Sequence, residues 1–106
     1  MNRIPTTRVE QWIEDFLSTM QSAETVRQYR SQLYKFSEWL RDRGFIAGDQ
    51  FHIPTVQNIE EYFNKLYDEK VPLTMRREVL VAIRSWFKFL GRGGHIKSNP
   101  ASGIKN

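Results

Sequence analysis

Cysteine is absent from the 106 residues, and with it go disulfide frameworks, thiolate-ligated zinc and thiol nucleophiles; the composition suits a reducing compartment. Histidine is nearly as scarce. His52 and His95 lie far apart and share no cluster of ligand-type residues, so neither a metal nor any other cofactor is expected. A phosphate-cradling loop is missing too: G-R-G-G at 91–94 lacks the Lys-Ser/Thr pair, follows a helical pattern instead of a strand, and reads as a helix stop. No apolar run approaches the roughly 20 residues of a membrane span. The amino terminus, M-N-R-I-P-T-T-R-V-E, holds no stretch of signal-peptide length, so a cytosolic protein without membrane partners is expected. Acidic residues are the minority, 12 against 16 Lys and Arg. The resulting net charge of +4 and pI near 9.6 favour polyanionic partners.

Helical periodicity is what the chain has in abundance. T-R-V-E from Thr7 has the form of a capping box, with Thr7 as cap and Glu10 reaching back. Val9, Trp12, Ile13, Phe16, Leu17 and Met20 then recur three and four apart, predicting a first helix whose polar face, with Glu10, Glu14 and Asp15, is acidic. Ser22 caps a second helix over 23–43, with Val26, Tyr29, Leu33, Phe36 and Leu40 inward and Gly44 closing it. Residues 45–54 form a connector broken by Gly48, Asp49 and Pro54, with Phe45, Ile46, Phe51 and Ile53 as anchors. Thr55 caps a third, acidic helix with Ile59, Tyr62, Phe63 and Leu66 as its buried side. After a turn at Pro72, Thr74 is the expected cap of a fourth helix. Its core side is Met75, Val79, Leu80, Ile83, Trp86, Phe87 and Leu90, and Gly91, Gly93 and Gly94 supply the stop. A chain of this length is one domain with its own core.

Two of these helices carry cations beside the apolar seam. At about 100° per residue, Arg77, Arg84 and Lys88 fall within an arc of about 40° on the fourth helix. Arg27, Arg30, Tyr34 and Arg41 fall within about 60° on the second, and Ser31 and Lys35 extend that face. Side chains so placed lay their stems on the rim of the core and hold their charges toward a phosphate backbone; a solvated face with no partner is the competing reading. Ser22, Thr25 and Thr74 stand at helix N-termini, where free N–H groups and the helix dipole favour phosphate, although capping already accounts for them.

The run S-A-E-T-V-R-Q-Y-R-S-Q-L-Y-K-F-S-E-W-L-R-D-R-G over 22–44, then T-M-R-R-E-V-L-V-A-I-R-S-W-F-K-F-L from Thr74, then N-P-A at 99–101, resembles the N-terminal core-binding domain of tyrosine recombinases, the phage-type integrases and Xer-like enzymes. Order and spacing together cover about 80 residues. The resemblance implies an all-α fold, a four- to five-helix SAM-like orthogonal bundle forming one half of a clamp around duplex DNA in the prokaryotic cytosol or nucleoid. By position it nominates Thr25, Arg27, Arg30, Ser31, Tyr34 and Lys35 on the second helix, and Thr74, Arg77, Arg84, Ser85 and Lys88 on the fourth, as DNA contacts. It implies as partners the recombination core site in double-stranded DNA and the catalytic domain of the same parent chain, in a tetramer on DNA.

The family's chemistry uses a tyrosine nucleophile with an Arg, a Lys and a His-x-x-Arg element downstream of the N-P. Here His52 leads I-P-T and His95 leads I-K-S, so no catalytic residue is assigned and no enzymatic activity is expected of this polypeptide. Residues 1–100 are read as the DNA-binding domain and 101–106 as the start of a linker to an absent catalytic domain. An interaction module without DNA binding, using Trp39, Trp86 or the acidic helices against a protein partner, is the alternative. A helix-turn-helix regulator fits less well, because the two basic helices are separated by a connector and a whole helix.

Overall fold

The computed structural model describes Pro5 and residues 7–104. Residues 1–4, 6 and 105–106 lie outside it, and with them the end of the expected linker and half of the stretch read for a targeting signal. The described residues form an all-α fold of four helices with one two-stranded hairpin: α1 (Arg8–Leu17), α2 (Ala23–Asp42), β1 (Ile46–Ala47), β2 (Gln50–Phe51), α3 (Val56–Asp68) and α4 (Leu73–Arg92). The chain divides into two compact units, residues 1–52 and 53–106.

In the first unit α1 packs on α2. The Thr7 hydroxyl oxygen accepts the Glu10 N–H at 3.1 Å and its proton is directed to the Glu10 carboxylate at 3.3 Å, so cap and third residue are tied by side chain. Ser22 caps α2 by accepting the Thr25 N–H. Val9, Ile13, Phe16 and Leu17 of α1 are buried, as are Leu33, Phe36 and Leu40 of α2. The expected seams extend less far than the periodicity suggested. Met20 lies beyond the end of α1, and Val26 and Tyr29 are half-buried, the Tyr29 ring stacking on Phe16 at 6.3 Å. Trp39, read as a possible partner contact, is buried and stacks on Phe36.

The connector folds where only breakers and anchors were expected. Ile46 pairs with Phe51 and Ala47 with Gln50 across a Gly48-Asp49 turn, with Gly48 at a φ of +60°. A two-residue turn with a positive φ at its first position is a glycine-led hairpin turn. Two-residue strands are too short to show alternation, which is why periodicity missed them. Ile46 is buried and Phe51 meets Trp12 edge-on at 6.0 Å, whereas the expected anchor Ile53 is exposed.

In the second unit α3 packs on α4. Thr55 and Asn58 make a reciprocal capping box at the start of α3. On α4, Val79, Leu80, Ile83, Trp86, Phe87 and Leu90 are buried, as the spacing predicts. Two expectations at its start are corrected. Pro72, whose carbonyl accepts the Arg76 N–H, is the N-cap, so the helix opens before Thr74 and has no side-chain cap. Met75 is exposed, because the covered stretch of α4 begins a turn later at Val79. Past α4 the chain turns back: Ile96, Ala101 and Ile104 are buried, and Asn99 donates to the Arg84 carbonyl while accepting the Ala101 N–H.

Candidate nucleic-acid interface

The second helix spends much of its charge inside its own unit. Arg30 grips the Glu14 carboxylate with two parallel hydrogen bonds, Nη2 to Oε1 at 2.9 Å and Nε to Oε2 at 3.1 Å. The Tyr34 hydroxyl donates to the same carboxylate at 2.9 Å, and Tyr34 is only 2% exposed. Arg41 approaches Glu10, itself buried, at 3.9 Å. The Arg30 hydrogen bonds hold the Glu14 carboxyl below its ordinary value of 4.5 despite the opposing effect of burial, with Tyr34 adding to the lowering. Reciprocally, the hydrogen bonds to Glu14 push the Arg30 guanidinium higher still. The polar face of α1, read as acidic, is thus partly an internal counter-charge, leaving Asp15 exposed and Glu10 buried.

What α2 presents outward is mixed. Arg27, Gln28, Ser31 and Lys35 are exposed, but Glu24, Glu38 and Asp42 share their side, and Arg27 pairs with Glu24 at 3.2 Å. Thr25 is half-buried, its N–H taken by Ser22. An open depression of about 350 Å³ runs along this helix, lined by Arg27, Arg30, Ser31, Tyr34, Lys35 and Glu38. Five of the six nominated α2 residues therefore meet at one place, with a carboxylate among them.

The fourth helix is different. Thr74, Arg77, Val81, Lys88 and Arg92 are exposed, while Arg84 and Ser85 are half-buried. With the core side centred on Val79, Ile83 and Leu90, a step of about 100° per residue puts Arg77 and Lys88 well round on the outer face instead of on the rim. Arg84 lies within about 20° of Arg77 on the same wheel, but the chain past α4 half-covers it, and its Nε donates to the Ala101 carbonyl at 3.2 Å. Arg77, Lys88 and Arg92 make no ion pair among the described residues, and Glu78 is the one anion in this outward arc. Unpaired cations on a rigid helix are available to phosphate without first breaking an internal contact. The outer strip is electropositive and about 16 Å long between Arg77 and Lys88, at 1.5 Å per residue.

Trp86, the other aromatic considered as a partner contact, has no exposed surface. No group of three or more His, Cys, Asp or Glu residues placed to hold a metal occurs among the described residues. The internal pairing of α1 with α2 has a signal in the sequence: Glu10 and Glu14 stand four apart beside one apolar seam, and Arg30, Tyr34 and Arg41 beside the next. Opposite charges on facing seams of consecutive helices are expected to meet.

A family described as the phage integrase N-terminal SAM-like domain matches residues 9–94. The chain is 30% identical over 97 residues to a protein named tyrosine recombinase XerC 2 of Ralstonia nicotianae, a span covering 89% of this chain and 28% of that one. It is 27% identical over 100 residues to tyrosine recombinase XerC of Oceanobacillus iheyensis, covering 88% and 31%. Tyrosine recombinase XerC of Actinobacillus pleuropneumoniae is 33% identical over 84 residues, covering 79% and 26%. The chain spans less than a third of the length of these relatives. No solved structure matches it.

Proposed function

The chain belongs to the phage integrase N-terminal SAM-like domain family, and from that premise we propose that it is the DNA-binding part of a site-specific tyrosine recombinase, laying α4 along duplex DNA. The observation that carries the reading is the outer face of α4, where Arg77, Lys88 and Arg92 are exposed and unpaired among the described residues. Arg77 and Lys88 bind phosphates, Thr74 and Ser85 position the helix, and Arg84, its Nε bonded to the Ala101 carbonyl, adds a cation beside them. On α2 the contacts are Arg27, Ser31 and Lys35 with Thr25 at the helix start, while Arg30 and Tyr34 act one step back by fixing α2 against Glu14.

Strand cleavage and exchange belong, in this reading, to a catalytic domain elsewhere in the parent enzyme, with residues 101–106 leading toward it. The parent acts as a tetramer on paired core sites, and this chain supplies one half of each clamp. Half a clamp binds weakly, near the non-specific range of about 10⁻⁴ to 10⁻⁶ M at physiological salt. Without the tyrosine, His-x-x-Arg and Lys set, the chain alone is expected to leave DNA uncut.

Fluorescence anisotropy with a labelled duplex over a salt series tests the reading. The wild type is expected to show log K falling with log salt at a slope of about −3 or steeper. Replacing Arg77 and Lys88 by Ala removes about two units of that slope, since each lost phosphate contact removes roughly 0.9. Absence of binding at low salt, or an unchanged slope in the double variant, overturns the proposal and favours a protein partner.

A further inference from the structure

We propose that Val81 reads the 5-methyl group of a thymine in the major groove, an inference that rests on the placement of α4 on DNA and adds a sequence-discriminating residue to it. Val81 is 45% exposed and stands at the middle of the outward face of α4. On the helix surface its neighbours three and four positions away are Arg77, Glu78, Arg84 and Ser85. An isolated exposed apolar residue is ordinary on a protein surface. Three things set this one apart.

The first is its position on the helix. At about 100° per residue, Val81 lies opposite the buried line of Val79, Ile83 and Leu90, so it is the point of α4 that a flat or convex partner meets first. The second is the spacing of the charges around it. Arg77 and Lys88 are about 16 Å apart along the axis, enough to reach phosphates on both sides of a major groove about 12 Å wide. A residue between them is then held over the base edges, where side chains read sequence and do not merely position the protein. The third is the side chain itself. Valine is a poorer helix former than alanine or lysine at an exposed site, so stability does not explain it. Branching at Cβ holds it in one dominant rotamer on a helix, presenting two methyl groups at a fixed place.

Of the four bases, thymine alone carries a methyl group in the major groove, and small apolar side chains are its partners. Contact between the Val81 methyls and that group removes apolar surface from water on both sides. Arg77 and Lys88 supply affinity in this arrangement, and Val81 supplies preference.

The experiment takes the 106-residue chain and a randomised duplex pool, enriches the tightest binders at low salt, and measures the enriched duplex by anisotropy with each thymine replaced in turn by deoxyuridine. That replacement deletes only the methyl. At one or two positions the wild type is expected to lose about fourfold in affinity, the size of one buried methyl or methylene, while Val81→Ser shows no such loss and keeps the wild-type salt slope. Being exposed, residue 81 tolerates serine without loss of fold, which circular dichroism checks. Salt-dependent binding with no sequence enrichment, no uracil effect, or an uracil effect that persists in Val81→Ser overturns the role of Val81 and leaves α4 on DNA. Absence of salt-dependent binding overturns both.

Discussion

Replacing Glu14 by Gln removes the charge that Arg30 grips at two points and Tyr34 at a third. Glu14 and Arg30 are mostly shielded, with side chains 18% and 26% exposed, so the loss is larger than for a surface pair. A destabilisation of about 2 kcal/mol is expected, read as a lower urea midpoint at unchanged slope. The pH dependence has a definite sign. Because the folded carboxyl is held below its ordinary value of 4.5, its contribution is complete above that pH and is lost as the pH falls through the lower folded value. Between pH 5 and pH 3 the wild type should therefore lose more stability than Glu14→Gln; parallel acid titrations by both proteins would remove Glu14 from the account. Arg30 makes the complementary point. Sequence position put it in a cationic stripe, but a guanidinium bonded at two points to a mostly shielded carboxylate of its own unit serves folding first. Helical spacing gave its azimuth within α2 and not the identity of the helix that α2 faces.

Helix ends were the most legible elements, because they depend on local chemistry. Thr7, Ser22 and Thr55 cap as their residue types predict. At the other ends α2, α3 and α4 close alike: the Phe45, Val71 and His95 N–H groups reach back to the Leu40, Leu66 and Leu90 carbonyls, and Gly44, Lys70 and Gly94 to Arg41, Tyr67 and Gly91. Each closure needs a left-handed residue, and Gly44 and Gly94 supply it while Lys70 takes a φ of +63° despite its Cβ. A matched pair of substitutions follows. Lys70→Gly should raise stability by up to about 1 kcal/mol, and Gly44→Ala should lower it by a similar amount. No atom crowds a Cβ at residue 44, so the second change isolates backbone strain. Opposite signs in thermal unfolding are the expected result, and a destabilised Lys70→Gly would contradict it. The tie from Asn99 to the Arg84 carbonyl and the Ala101 N–H was not legible, since it joins residues 15 apart through one short side chain. Asn99→Ala should lower hydrogen-exchange protection at Ala101 about tenfold, the loss of one part-buried hydrogen bond, while amides of α1 keep theirs.

Across the whole molecule, the all-α class and the succession of four helices follow from periods of three and four, but the placement of charge does not. The net charge of +4 is a sum, and the structure distributes it unequally: α1 and α2 cancel much of their charge against each other, and α4 keeps Arg77, Lys88 and Arg92 outward. A composition cannot distinguish a cation spent on a neighbouring carboxylate from one left for a ligand. The distinction has a measurable counterpart, since Arg30→Ala should shift the urea midpoint while leaving the salt slope of DNA binding within about half a unit of wild type, the reverse of Arg77→Ala. It also carries over to genetics. In a screen for recombination-defective alleles of a parent gene, changes at codon 30 and codon 77 would be scored together. Alleles at codon 30 are expected to be conditional, recovering on a shift to lower growth temperature as the weakened protein regains its folded population, whereas alleles at codon 77 stay defective at every temperature.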